Sequence, residues 1–316
     1  MRNVLNFLLS FIALCSSAVL AQGYPLTIID DRDKPVTIAQ PPQTVASVSS
    51  FGADVMAALG RQVAGISTLN GQRSAYLGDS ATKAVSLGEV HQTNLEILTQ
   101  LAPDLTIGLR TYTEPFARKI EETGTLLAFD LTTLDDSLNA VTLATRALGA
   151  DSQGEAMNKG FLDELEAAAK QTDGNVSAVF LWHWGNVPYA YYNNHLTPQI
   201  MVRLGATNIH GEPPQGMASI DSAAMTMEAL LRLNPDVILS FKGEAGPFVQ
   251  HPAWQRLKAV QSGRAWRVAD HYVMSHGPIA RRMVLHEVAH LLYPSVFPEP
   301  SEIPLAARAK PMDFER

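Results

Sequence analysis

The stretch Thr93–Ile107, TNLEILTQLAPDLTI, occurs twice in this 316-residue chain, and the repetition limits what the chain can fold into. Asn94–Ile107 aligned with Thr226–Leu239 (TMEALLRLNPDVIL) is identical at Glu96/Glu228, Leu98/Leu230, Leu101/Leu233, Pro103/Pro235 and Asp104/Asp236. Each copy reads as a short amphipathic helix, a Pro-Asp break and an apolar strand, with one Glu near the helix start. A recurrence this widely spaced predicts two similar lobes.

The surrounding segments predict the same order in both lobes. After a polar lead-in at Gln22–Gln43, strands are expected at Thr44–Ser49 and Val63–Ser67, with a helix between them ended by Gly60. A loop at Asn70–Ser86, the first repeated helix, the strand Asp104–Leu109, a helix near Glu114–Thr123, the strand Leu126–Leu131 and a helix to Leu148 complete that lobe. Asp151–Thr172 reads as one long helix joining the lobes, weakened by Gly154 and Gly160. The second lobe runs from the strand Ser177–Trp182 through a helix opened by Thr197-Pro198, the second repeat, and strands ending at Phe241 and Ala269, to a closing helix Pro278–Leu292. The proline-rich tail from Pro298 is expected to lie on the surface. Alternating apolar strands and helices specify an α/β fold with parallel sheets covered on both faces. The division is therefore 1–21, 22–150, 151–173, 174–297 and 298–316: leader, lobe, connecting helix, lobe and tail.

Arg2, the apolar run Val4–Leu20 and the small-residue site Val19-Leu20-Ala21 form a secretory signal peptide, with the mature chain expected from Gln22. The single cysteine, Cys15, lies inside that run after Leu14, where a lipoprotein signal would carry a small residue, so lipidation is not expected. A mature chain without cysteine has no disulfide and no thiolate chemistry. Losing Arg2 takes the formal charge from −7 to −8, which argues against nucleic acid or an anionic membrane as partner. These features suit a bacterial periplasm.

Ligand chemistry is expected between the lobes, at the carboxyl ends of the strands. The loop after Ser177–Trp182 carries Trp182, Trp184, Tyr189, Tyr191 and Tyr192, five aromatics in eleven residues where the chain as a whole is 7% aromatic. With His183 they offer stacking and hydrogen-bond donors. Further strand-end candidates are Ser49, Ser50, Phe51, Arg73, Arg110, Tyr112, Lys242, His271 and Arg281. Arg110, directly after the repeated strand, is the preferred anion contact.

His286-Glu287-Val288-Ala289-His290 is a literal H-E-x-x-H, the zinc-peptidase pattern. A catalytic zinc needs a third protein ligand, and only 26 residues follow His290, with Glu299 and Glu302 in a proline-rich tail and no second helix to present them. The pattern reads as a solvated helix face carrying Arg282, His286 and His290. No phosphate loop, serine nucleophile elbow or dinucleotide fingerprint is present, so no enzymatic activity, metal or cofactor is expected. Thr93-x-x-Glu96 fits a capping box, whereas the position equivalent to Thr93 is Met225. Capping alone thus explains Glu228 less well than Glu96. Two acids on equivalent faces instead suit arginines on a pseudo-twofold partner.

The sequence resembles the periplasmic substrate-binding proteins of iron-chelate and vitamin B12 ABC importers over essentially the whole mature chain. The resemblance rests on Asn94-Leu95-Glu96 with Leu101–Leu105, on Met227-Glu228-Ala229 with Leu233–Val237, on Leu204–Asn208, and on the Gly277-Pro278 helix ending in Leu292-Tyr293-Pro294. It implies two Rossmann-like lobes joined by one long helix, small closure motions, and monomeric action. It implies that Glu96 and Glu228 dock onto arginines of an inner-membrane ABC permease dimer. Haem-binding relatives carry a Tyr seven positions before the first docking Glu, where this sequence has Glu89. An anionic ferric siderophore is the expected ligand, with haem or cobalamin as alternatives and a zinc metallopeptidase as a remote one.

Overall fold

The computed structural model describes residues 23–184, 187–242 and 247–312, so the leader lies outside the described residues. Two lobes are built on two sheets. The first sheet has the order Gln92–Thr93, Val85–Glu89, Gly65–Thr68, Val45–Val48, Leu105–Leu109, Thr125–Phe129, and its central strands are all parallel. In the second, Ser177–Trp184, Val237–Phe241 and Ala265–Val268 are parallel neighbours, and Thr207–Asn208 joins Ser177–Ala178 in parallel. Both lobes therefore place their first strand beside the repeated strand, with the next parallel strand beyond. Alternation along the strands explains the double-sided burial. Val45, Leu105 and Ile107 enter one core of the first lobe, while Ala46, Val48 and Ala128 enter the other. Phe180, Leu239 and Phe241 likewise face away from Val179, Leu181 and Ile238.

The repeat has a physical explanation at each shared position. Its helices are Leu95–Leu101 and Met227–Leu233, capped by Asn94 and Thr226, whose side chains accept backbone N–H bonds from the first turn. This corrects the assignment of the caps to Thr93 and Met225: both copies are capped, one residue later. Each helix ends on a left-handed residue, Ala102 (φ 43°) or Asn234 (φ 41°), and the following Pro stops it. The Asp after that Pro then ties down the neighbouring first strand. Asp104 accepts the N–H groups of Gln43 and Thr44 at 2.8 Å, and Asp236 accepts the Ser177 N–H at 2.9 Å and its hydroxyl at 2.7 Å. The repeated Asp is a strand-start clamp in both lobes.

The connecting helix spans Asp151–Ala169. Gly154 lets it approach Leu134–Ala147 closely, since a Cβ there would lie 2.0 Å from Thr145 Oγ1. The closing helix Pro278–Leu292 has no cap of its own; Asp54, from the helix Ser50–Ala58 of the first lobe, accepts the N–H groups of Ile279 and Ala280 at 2.8 Å. Burial pushes the Asp54 carboxyl up to about 6 against those hydrogen bonds. This helix thus begins against one lobe and, through Val284, Val288 and Leu291, ends in the core of the other.

Four further expectations are corrected. The lead-in is a hairpin, Leu26–Ile29 with Pro35–Ile38, folded against the first sheet through Asp31 N–H to Ala128 O. The Asn70–Ser86 loop contains two short helical turns and the start of the strand Val85–Glu89. The aromatic segment is a hairpin rather than a loop, Val187–Tyr191 returning antiparallel along Ser177–Trp184. The tail is integral to the fold: Ile303 and Ala307 are buried in the first lobe's core, and Lys310–Pro311 pairs antiparallel with Ala265–Val268 of the second sheet.

Candidate functional site

Two adjoining cavities, both lined by Leu69, open where the strands of both sheets end. The smaller, about 200 Å³, is walled from the first lobe by Ser49, Phe51, Tyr112 and Thr132 and from the second by Trp182, Tyr191, His195, Asp221 and His276. The larger, about 660 Å³, is bounded by loops after Gly65–Thr68, Val237–Phe241 and Ala265–Val268 and by the tail.

The smaller cavity is an aromatic slot. Antiparallel register puts Tyr189 opposite Trp182, so Trp182, Tyr189, Tyr191 and Phe180 share one sheet face. Tyr191 stacks on Phe180 with centroids 4.9 Å apart, and Trp182 packs beside Phe241. Burial, and next the Asp221 carboxylate, pushes the Tyr112 and Tyr191 phenols up. Burial holds His195 and His276 down to about 3, so both rings are neutral at physiological pH. Phe51 meets Phe129 edge-on at 5.7 Å, which fixes the slot's floor in the first lobe.

The larger cavity is cationic. Its described lining includes Arg73, Lys242, Arg267, Arg308 and Lys310, with Asp270 the acid among them. Asp270 is engaged by the Ser74 hydroxyl, and burial pushes its carboxyl up. Arg73 donates to the carbonyls of Ala81 and Thr82, which fix the guanidinium without neutralising it.

The sequence-derived candidates separate clearly. Phe51, Tyr112, Trp182 and Tyr191 line the slot, and Arg73 and Lys242 line the basin. His183 points to the opposite sheet face, edge-on to Phe248 at 5.8 Å, with burial holding it down to about 4. Tyr189 shares the slot face yet is exposed beyond the slot. Arg110 is bound to Asp130 at 2.7 Å outside both linings. The Trp184 side chain lies outside the described residues.

Two candidates are interior groups. His271 has no exposure and packs against Tyr76 and Tyr272. Arg281 has none either: it lies over the Phe161 ring at 4.8 Å and donates to Ser137 Oγ at 3.1 Å and Asn158 Oδ1 at 2.6 Å. Burial holds its guanidinium down to about 10. Both are corrected from strand-end contacts to parts of the core, because His271 sits in the buried helical turn Asp270–Tyr272 and Arg281 on the buried face of the closing helix. Sequence reasoning missed His195, Asp221, His276, Arg267, Arg308 and Lys310. The last two belong to a tail read as surface drapery.

The H-E-x-x-H side chains diverge. Glu287 is buried, accepting from Tyr272 Oη at 2.7 Å and Ala309 N–H at 2.8 Å. His286 bridges Glu164 and Glu302, and His290 meets the Phe297 carbonyl at 2.9 Å. A zincin needs both imidazoles on one ion with the Glu facing substrate; here the Glu faces the core. Glu89 accepts from Thr68 Oγ1 at 2.9 Å and the Asn70 N–H at 2.8 Å, which gives it a turn-holding role at the rim.

Glu96 and Glu228 occupy the same position, second in their helices, and both are exposed. The Glu228 carboxyl is held low by its own N–H and by the Thr226 hydroxyl.

Comparison with known proteins agrees with this architecture. The chain is 23% identical to the uncharacterized ABC transporter substrate-binding lipoprotein YvrC of Bacillus subtilis over 87% of this chain and 88% of that one. Its fold matches the triscatecholate siderophore binding protein FeuA of Bacillus subtilis, solved with ferri-bacillibactin, with a TM-score of 0.70 at 17% identity, covering 85% of this chain and 98% of that one. It matches the periplasmic heme-binding protein RhuT of Roseiflexus sp. RS-1 with a TM-score of 0.67 at 19% identity, covering 80% and 98%. A model of the periplasmic binding protein family matches residues 45–270, and the chain belongs to that family.

Proposed function

We propose that this chain is the extracytoplasmic substrate-binding protein of an ABC importer, and that it captures an anionic ferric siderophore between its lobes. The observation that carries the reading is the junction of a cationic basin with an aromatic slot in one interlobe cleft. Cations and ring faces side by side suit a chelate whose net charge is negative and whose arms are planar. Cobalamin presents no comparable anionic charge, and Glu89 already serves its turn where haem-binding relatives carry a Tyr. In this reading Phe51, Tyr112, Trp182 and Tyr191 hold the arms, while Arg73 and Lys242 meet the charge. Glu96 and Glu228 engage arginines of the two permease subunits, from lobes spanning 22–150 and 174–297 about the helix region 151–173.

Quenching of tryptophan fluorescence tests the ligand class, because Trp182 lines the slot. A ferric siderophore should quench at sub-micromolar concentration and bind more tightly than its iron-free form, and Trp182→Ala should lose most of the signal. Tighter binding of haemin or cobalamin than of any ferric siderophore would overturn the reading.

A further inference from the structure

The two cavities differ in sign. The basin gathers cations, whereas Asp221 is the one charged side chain in the slot's described lining, since burial keeps His195 and His276 neutral. Asp221 precedes the edge strand Ser222–Ala224, whose pairing sets Ser222 opposite Tyr191 and so holds Asp221 at the slot wall. Its backbone carbonyl makes the structural contact, accepting the Tyr192 N–H at 2.8 Å. The carboxylate accepts the neighbouring Ser222 hydroxyl at 2.9 Å through Oδ1, and Oδ2 has no partner among the described residues. Burial, and then this charge, push the Tyr112 and Tyr191 phenols up, which sets the carboxylate beside both rings.

His276 adds a second acceptor. It is 3% exposed and lines the slot, and its Nε2 is buried with no hydrogen-bond partner among the described residues. The Thr132 carbonyl bonds the ring. A neutral imidazole that gives its one proton to that carbonyl presents a bare lone pair at Nε2. A buried acceptor left unmet costs stability, and a donor entering the slot would satisfy it. Phe51, Tyr112, Trp182 and Tyr191 wall the same slot, and the faces of such rings attract cations.

We propose that the slot is a subsite for a protonated amine, with Asp221 and His276 accepting its N–H groups and the aromatic walls surrounding its charge. An ammonium offers several donors, and a carboxylate with an open oxygen makes the stronger, charge-assisted bond. The proposal rests on the siderophore reading and deepens it. Besides the anionic groups that suit the basin, the chelate carries an arm ending in an amine, and the opposite signs of the two cavities fix which end enters which.

Two probe pairs separate the subsite from the cargo. The first is n-butylammonium against n-butanol, read by thermal midpoint. The second is a ferric trihydroxamate with a free primary amine against the same chelate N-acetylated, read by calorimetry. Asp221→Asn is a mild variant, since the residue is half-buried and its backbone makes the structural contact. Butylammonium, and not butanol, should raise the wild-type midpoint. Wild type should prefer the amine-bearing chelate by about tenfold or more, and less so at high salt. In Asp221→Asn the butylammonium shift should vanish and the chelate preference should fall below about twofold. Equal wild-type responses to butylammonium and butanol, or a preference that survives Asp221→Asn, would overturn the subsite. Tight binding of both ferric chelates with no preference for the amine would overturn it and leave the iron-import reading standing. An Asp221-dependent butylammonium shift without binding of any ferric chelate would support the subsite and refute the iron-import reading.

Discussion

Asp236 is the clearest place to test the repeat as a physical device. Its carboxylate accepts the Ser177 N–H and hydroxyl and pairs with Lys258, and its side chain is only 18% exposed. Burial pushes the carboxyl up, but Lys258 and Ser177 outweigh it and hold the group at about 2, against 3.8 unperturbed. A shift of about 1.8 pH units corresponds to about 2.5 kcal/mol. The folded value lies below the unfolded one, so between them the unfolded chain binds more protons and stability rises with pH. The contribution is complete above pH ~5, about half gone near pH 3, and lost as pH falls through 2. Lys258 is 63% exposed, and solvent screening reduces the part it supplies. Asp236→Asn keeps an acceptor for Ser177 and removes the charge, so it should cost about 1–2 kcal/mol at pH 7. Asp236→Ala should cost about 1 kcal/mol more, because the Ser177 N–H loses its acceptor. Urea denaturation at pH 7 and pH 2.5 measures both terms. Equal stability of Asp236→Asn and wild type at pH 7, or a difference that does not shrink at pH 2.5, would refute the clamp.

Three further outcomes follow from the same geometry. Ala102 stands at φ 43°, so Ala102→Gly should raise stability by about 0.5–1 kcal/mol, the relieved left-handed strain exceeding the added chain entropy; a lower urea midpoint would contradict it. Joint charge reversal, Glu96→Lys with Glu228→Lys, should abolish uptake in cells while leaving ligand affinity within twofold, as measured by transport assay and titration; lost affinity would place these residues in the wrong role. Arg281→Met should leave ligand affinity unchanged by calorimetry, and should change stability by less than about 2 kcal/mol, since lifting the desolvation of a buried cation offsets the loss of its bonds to Ser137 and Asn158.

Much of the fold was legible because the repeat couples local signals that agree: a capped helix, a Pro-Asp stop and an apolar strand. The caps were misplaced by one residue because Thr93 and Asn94 are both good capping types, and only backbone geometry chooses between them. Gly185-Asn186 between two apolar runs is a hairpin signal, and weighing it would have turned the aromatic loop into the paired strands observed. Arg281 and His271 were misplaced for a different reason. A polar side chain near a strand end looks like a ligand contact unless its burial is known, and burial depends on helices far away in sequence. The tail was least legible. Ile303 and Ala307 are single apolar residues in a polar stretch, too few for any periodicity, and their value lies in pockets formed by the other lobe elements. The basin was hidden likewise, since Arg73, Lys242, Arg267 and Lys310 come from four separate segments.

The central claim, capture of an anionic iron chelate in the interlobe cleft, is tested most directly by ranking affinities calorimetrically at one pH and salt concentration. The series would comprise a ferric siderophore with free carboxylates, its iron-free form, haemin and cobalamin. The ferric anion should bind with sub-micromolar affinity, and the other three should bind more weakly by at least tenfold. Haemin or cobalamin at the head of that ranking would contradict it.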